Sequence, residues 1–245
     1  MRMAYSFLWR TLRFLQLHRI PGLIKVVMPE EANPRGGITL INELEPKYAI
    51  AWRRLQRMEV VLGDYLEFGV SRGKSIACMH RVVKQLNLNT VRLFGFDSFQ
   101  GMPPHAAWED HGTWKPGQFA STQEATTAFL NQHDIDWGKT SLIKGWFDET
   151  LTTETMEKFG MRKASVITID CHLYSATKAA LNFSKPLIED FAVVFFSDWQ
   201  SDDSIGEHRA YSEFLEENPH LNSRDFGEYR PAGRIFFLIN TQEGC

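Results

Sequence analysis

The sequence predicts a doubly wound α/β fold: a mostly parallel sheet covered by helices on both faces, with an antiparallel hairpin at its end and a helical cap at its start. Two observations carry this. From about residue 60 onward, short apolar runs rich in β-branched and aromatic residues alternate with helical stretches, and parallel strands joined by crossover helices need that alternation. The 245 residues, 43% hydrophobic and 23% charged, also suit one α/β unit and exclude disordered and collagen-like classes.

The first 29 residues differ from the rest. Arg2, Arg10, Arg13, Arg19 and Lys25 precede any acid and are interleaved with Phe7, Leu8, Trp9, Leu12, Phe14, Leu15 and Leu17. Arg10 and Arg13 break the apolar core that a signal peptide needs, and no run of about 20 apolar residues is present for a membrane span. Two readings stay open: a helix packing on the domain or on a second subunit, and an amphipathic segment at an anionic membrane surface. Pro29, Pro34, Gly36 and Gly37 punctuate the exit. Residues 1–60 are therefore expected as an N-terminal helical segment and 61–245 as one domain.

Five buried strands are expected at Asp64–Val70, Val91–Phe96, Ser141–Lys144, Ser165–Ile169 and Ala192–Phe196, with helices at Lys74–Leu86, Gln123–Asn131, Leu151–Phe159 and Ser175–Ile188. At the end, Ser223–Tyr229 and Arg234–Ile239 flank Arg230, Pro231, Ala232 and Gly233 as a hairpin.

In such sheets ligands sit beyond the carboxyl ends of the strands. The first strand runs through Glu67, Phe68, Gly69, Val70 and Ser71 to Gly73 and a helix. Its two glycines would let a ligand approach the backbone and the helix N–H groups. G-x-x-x-G-K-S is one residue short of a Walker loop, and the middle glycine of G-x-G-x-x-G is missing, which disfavours phosphate binding by either route. The second strand ends in Asp97, Ser98 and Phe99. A carboxylate there can accept both vicinal hydroxyls of a ribose, or cap its own loop as an Asx-turn.

Four segments in this order resemble the class I S-adenosylmethionine-dependent methyltransferases, and within them the macrocin O-methyltransferase family. They are Leu66–Gly73, Phe96–Pro103, Lys144–Leu151 and Ile169–Thr177; Ser197-Asp198-Trp199 ends the fifth strand. The resemblance implies a Rossmann-like sheet, S-adenosylmethionine as cofactor and O-methyl transfer to a hydroxyl of a small molecule such as a sugar or glycosylated natural product. It implies that Glu67 and Gly69 bracket the methionine part, that Asp97 takes the ribose with Ser98 and Phe99 extending the contact, and that Gly145 and Trp146 lie near the adenine. Phe68, Val70, Ser71, Gly73 and Asp170 complete the expected cofactor set; Trp146 or Phe147 would supply apolar surface against the purine, while packing under the third strand is the other reading for both.

Family members carry Asp-Gly-Asp after the fourth strand and Asp-Asp after the fifth, together holding a divalent metal; here stand Asp170-Cys171-His172 and Ser197-Asp198. Two routes follow. Asp170 and Asp198 hold Mg²⁺ with waters and substrate, or without a metal the ionised one of the two carboxylates or His172 takes the acceptor's proton. Asp170, His172 and Asp198 are the expected catalytic residues on either route. Cys171 reads as a small buried filler, and Asp202, Asp203 and Glu207 as a solvated helix start. A catalytically inactive, cofactor-binding relative that acts as a partner or scaffold is the alternative function.

From Gly101 to Thr122 the chain lacks periodicity, as a functional loop does. Trp108, Trp114 and Phe119 would close over the acceptor as a lid, with His105 or His111 reaching its hydroxyls. Lys and Arg number 27 against 30 Asp and Glu, 27 − 30 = −3, so no cationic field invites nucleic acid. Three cysteines, Cys78, Cys171 and Cys245, show no C-x-x-C spacing, which suits a reducing, cytoplasmic setting. The expected partners are a small hydroxylated acceptor and a second copy of the chain joined through the N-terminal segment, with no transmembrane span.

Overall fold

A computed structural model describes residues 36–199 and 204–242, so the basic segment before residue 30, Asp202, Asp203 and Cys245 lie outside the described residues. In chain order the elements are α1 (Gly36–Arg57), β1 (Asp64–Phe68), α2 (Lys74–Gln85), β2 (Leu93–Asp97), α3 (Gln123–Asn131), β3 (Thr140–Lys144), α4 (Phe147–Thr150), α5 (Thr153–Phe159), β4 (Ala164–Ile169), α6 (Tyr174–Ser184), β5 (Phe191–Phe196), α7 (Gly206–Glu217), β6 (Leu221–Arg230) and β7 (Gly233–Asn240). The seven strands form one sheet in the order β3-β2-β1-β4-β5-β7-β6. The first five are parallel, and β7 and β6 close the edge antiparallel. The predicted class is therefore the observed one, with the hairpin turning on Pro231 and Ala232 alone.

Strand alternation divides the core in two. Tyr65, Val166, Val193 and Phe195 face α1 and α2, where Tyr48, Trp52, Leu55, Ile76 and Met79 are fully buried. Leu66, Phe68, Phe96, Ile167, Ile169, Val194 and Phe196 face the other way, against Leu181 and Phe183 of α6 and Tyr211 and Phe214 of α7. The described part of the N-terminal region is thus a core element. Burying a side chain such as Trp52 or Leu55 contributes about 2 kcal/mol relative to leaving it in water.

Register places the site. Phe96, Phe68, Ile169 and Phe196 stand side by side across β2, β1, β4 and β5. The residues that follow them, Asp97, Gly69, Asp170 and Ser197, therefore form a row along the carboxyl edge. The N–H groups of Gly69, Asp170 and Ser197 extend the ladder to Phe96 O at 2.9 Å, Phe68 O at 2.8 Å and Ile169 O at 3.1 Å. Strand order reverses between β1 and β4, which opens the crevice where doubly wound sheets bind ligands.

Candidate active site

The strand ends carry a concentration of rare backbone conformations. Ser71 after β1 (φ 45°), Phe99 after β2 (φ 56°) and His172 after β4 (φ 61°) are left-handed without being glycine. Such residues cost of order 1–3 kcal/mol each and persist where surrounding contacts hold them. At Gly69 (φ 90°) a Cβ would lie 2.1 Å from the backbone oxygen of Asp170, so only glycine lets β1 and β4 end this close together.

On the β1–β2 side, Asp97 organises the turn. Its Oδ2 accepts from the backbone N–H of Val70 and of Ser71, both at 2.8 Å, and its Oδ1 accepts from Phe99 N–H at 2.6 Å. Burial raises this carboxyl above its ordinary value, and the three N–H bonds to Ser71, Phe99 and Val70 oppose the rise. The Asx-turn reading of Asp97 is thus present in the geometry. Ser98 Oγ donates to Gly101 O at 3.3 Å and ties the same loop. Ser71 is braced from outside, its carbonyl accepting from Thr126 Oγ1 at 2.5 Å and its hydroxyl donating to Phe119 O at 3.2 Å. Gly73 (φ 77°) is the N-cap of α2.

Glu67 lies behind that turn. It shares a strand face with Tyr65 and is fully buried, accepting from Tyr65 OH at 2.5 Å and Ser75 Oγ at 2.6 Å. Tyr48 OH adjoins Tyr65 OH at 3.0 Å and Thr168 Oγ1 at 2.9 Å, which extends the network to α1 and β4. Burial pushes the Glu67 carboxyl up to about 8. After β3, Gly145 (φ 148°) precedes Trp146, half-buried at the start of α4. Phe147 packs edge-on against Phe68, ring centroids 6.0 Å apart, as the packing reading expects.

On the β4–β5 side the contacts run between side chains. Ser197 Oγ donates to Asp170 Oδ1 in a very short bond. His172 stands between two acids, Nε2 at 3.9 Å from Asp170 Oδ1 and Nδ1 at 3.7 Å from Asp198 Oδ2, with its side chain 16% exposed. Glu207 corrects an expectation. Instead of a solvated helix start it is fully buried under β5, where its Oε2 accepts from Asp198 N–H at 2.8 Å and its Oε1 lies 3.4 Å from Ser197 Oγ. Burial holds its carboxyl well above the usual range. Cys171 is half-buried where a buried filler was expected; burial pushes its thiol up, and Sγ rests 3.6 Å from Thr177 Oγ1.

Sequence reasoning missed Arg230. It is the last residue of β6, and the antiparallel pairing of β5 with β7 folds it over the end of β5. Its Nε donates to Ser197 O at 3.0 Å and its Nη2 lies 3.6 Å from Asp170 Oδ1. Burial works against its charge, but Tyr229, Asp170, Glu207 and Asp198 outweigh burial and hold the guanidinium above its ordinary value.

The expected lid is a docked segment. A short 3₁₀ turn, Pro104–Ala107, and a kinked stretch, Glu109–Gly112, in which Asp110 (φ 47°) and His111 (φ 61°) are left-handed, interrupt it. Leu173 and Ile205, the N-cap residues of α6 and α7, offer no side-chain cap. Asp110 supplies both, Oδ2 accepting from Tyr174 N–H at 2.9 Å and Oδ1 from Gly206 N–H at 3.0 Å. Glu109 accepts from Ser175 N–H at 2.6 Å. Anionic caps at helix N-termini are favourable twice over, through hydrogen bonds and the helix dipole. Trp114 stacks on His172, centroids 4.6 Å apart and planes 19° apart, and Phe119 lies 5.1 Å from the same ring. Trp108 is 72% exposed, and His105 pairs with Glu109 at 3.3 Å.

A profile of the family described as macrocin-O-methyltransferase matches residues 46–219. The chain belongs to this family. A 4′-O-methyltransferase of Streptomyces olivaceus, named for a dimethoxy-rhamnosyl tetracenomycin-C, is 27% identical over 159 residues, 61% of this chain and 59% of that protein. The chain spans about three fifths of the length of the curated relatives it matches. The structure of the O-methyltransferase NovP superposes with a TM-score of 0.65 at 20% identity, covering 81% of this chain and 79% of that one. An O-methyltransferase from Bacillus cereus, solved in complex with SAH, gives a TM-score of 0.51 at 10% identity over 96% of this chain and 90% of that one. Both share the fold described above.

The donor set does not fit a divalent metal. Asp170 already receives the Ser197 hydroxyl and faces the Arg230 guanidinium, and among the described residues no three His, Cys, Asp or Glu side chains converge as metal ligands. A glycine-walled turn beside an acid does fit an adenosine with an amino-acid tail. Among the described residues no helix is long and apolar enough to cross a membrane.

Proposed function

We propose that this chain is an S-adenosylmethionine-dependent O-methyltransferase whose acceptor is a hydroxyl of a small molecule, a sugar or a glycosylated natural product. One observation carries the reading: within the family-matched segment, a single strand-end row sets the Gly69 turn and Asp97 against Asp170, Ser197 and His172. The cofactor supplies a methyl group on a sulfonium, which needs alignment more than acid–base help.

In this reading the turn of Gly69, Val70, Ser71 and Gly73 lies along the methionine part, with Glu67 and Phe68 fixing its base. Asp97 accepts from the ribose hydroxyls, with Ser98 and Phe99 beside it, and Gly145, Trp146 and Phe147 border the adenine. Asp170 stands between cofactor and acceptor. His172, flanked by Asp170 and Asp198, takes the acceptor's proton, and both acids stabilise the imidazolium that forms. Trp114 and Phe119 hold that ring and form the acceptor's apolar wall. The relative that acts on a rhamnosyl compound supports a sugar acceptor. The cysteine pattern supports a cytoplasmic setting, the net charge a partner other than nucleic acid, and the basic aromatic N-terminus self-association.

Calorimetry with SAH, followed by a screen of hydroxylated acceptors with labelled methyl donor, tests this. Asp97→Ala should weaken SAH binding by about 1.5–3 kcal/mol for each ribose hydrogen bond lost, and unchanged affinity would remove the ribose assignment. His172→Ala should cut turnover by about 10²–10⁴-fold with SAH affinity retained. SAH binding without turnover of any acceptor would establish the inactive relative instead.

A further inference from the structure

Asp170 follows β4, Asp198 follows β5 and Glu207 lies at the start of α7, and beside Asp170 stands a guanidinium. Asp170 and Asp198 are partly withdrawn from water, at 30% and 23% side-chain exposure, and a carboxylate so placed gains from a neighbouring cation. Glu207 meets the Asp198 N–H at 2.8 Å, while Asp170 faces Arg230 Nη2 at 3.6 Å. Ser197 has one hydroxyl hydrogen, and it is committed to Asp170. The same residue's carbonyl anchors Arg230 Nε at 3.0 Å. The β6–β7 turn that delivers Arg230 is itself tied to the end of β5, where Trp199 N–H donates to Ala232 O at 2.6 Å.

We propose that Arg230 is the resident cation of the acceptor site. Its guanidinium balances Asp170 and Asp198 and fixes the Asp170 carboxylate, so this chain's site works without a divalent ion. Arg230 is a positioning residue in this scheme. The inference rests on the transferase reading for its functional meaning. Its charge argument stands on Ser197, Asp170, Asp198 and Arg230. A dication placed beside Asp170 would meet a fixed positive charge and a carboxylate already hydrogen-bonded, whereas an acid in place of Ser197 and an apolar residue in place of Arg230 would open an oxygen-donor site.

Mn²⁺ titration of the purified full chain, followed by electron paramagnetic resonance, tests this. Wild type should leave the signal of free Mn²⁺ unchanged, while the double variant Ser197→Asp, Arg230→Met should bind one Mn²⁺ at least 10-fold more tightly. SAH calorimetry on each protein reports whether the cofactor half of the site is intact. Should the double variant lose SAH binding, Arg230→Met alone carries the same arm. A wild-type Mn²⁺ site that Asp170→Asn abolishes would overturn the proposal, as would a variant that binds SAH and no Mn²⁺. If wild type binds neither SAH nor Mn²⁺, the transferase reading fails while the charge assignment stands.

Discussion

The two halves of the strand-end row are built from different materials. At the ends of β1 and β2 the contacts are made by backbone: Asp97 gathers the N–H groups of Val70, Ser71 and Phe99, all within a few residues of a strand terminus. At the ends of β4 and β5 they run between side chains brought from distant parts of the chain, with Arg230 from the hairpin, Glu207 from α7 and Trp114 from the docked segment. In the proposed reading the first half takes the constant cofactor, and a backbone frame tolerates sequence drift while keeping its shape. The second would face the variable acceptor, and side chains from several elements can be exchanged one at a time. The comparison predicts that the first half breaks through conformation and the second through charge.

The sharpest way to break the first half is Gly69→Ala. The added carbon would overlap the Asp170 carbonyl, and φ of 90° is strained for any L side chain. The expected cost is about 4 kcal/mol or more, because backbone must move on both strands. Urea denaturation together with SAH calorimetry checks it. Wild-type stability with intact binding would mean that the turn is softer than its geometry implies.

Glu67→Gln tests a second property of that half. In the unfolded chain Glu67 titrates near 4.5, and burial raises the folded value to about 8. Between those values the folded state holds the extra proton. Stability is therefore fully present below about 4.5 and is lost as pH rises toward 8, by up to about 1.4 kcal/mol per unit. The variant removes this slope, so relative to wild type it should gain about 3–4 kcal/mol between pH 5 and pH 8. Denaturation midpoints at several pH values report it, and parallel profiles for the two proteins would show that Glu67 does not titrate in this window.

How far the sequence spoke follows the same division. Continuous apolar runs such as Ala192–Phe196 made the sheet legible, and the glycine-to-acid spacing from Gly69 to Asp97 made the first half of the candidate site legible as a cluster, because those contacts are local to strand ends. Glu67 was visible as an acid at a strand end, but its role behind the turn follows from sharing a face with Tyr65. Arg230 was legible only as a hairpin residue. Its place over Ser197 depends on the register of β5 with β7, and nothing in the spacing of residues 197 and 230 announces it. Glu207 looked solvated because a charged residue early in a helix usually is. Its burial follows from the Asp198 N–H and Ser197 hydroxyl that it meets. The residues from 101 to 122 looked like a lid because their contacts are long-range caps, which leave no periodic trace.

That docked segment gives the smallest of the expected effects and the finest test of the comparison. Asp110 is 9% exposed and caps α6 at Tyr174 and α7 at Gly206, so Asp110→Ala removes two anionic caps in one substitution. Each is worth about 0.5–2 kcal/mol, and water can enter a loosened helix start, which sets the expected loss of stability at about 2 kcal/mol. The functional consequence should be asymmetric. The start of α6 follows His172, and the start of α7 carries Glu207 beneath Asp198, so loosening both disturbs the side-chain half. Asp97 and its three N–H partners take no bond from Asp110, and the segment reaches them through Phe119 O, which accepts from the Ser71 hydroxyl at 3.2 Å. Turnover should therefore fall several-fold at nearly unchanged SAH affinity, with faster amide hydrogen exchange at Tyr174 and Gly206 and unaltered exchange at Val70 and Ser71. Equal acceleration at all four amides would show that the two halves open as one unit and that their difference in construction has no dynamic counterpart.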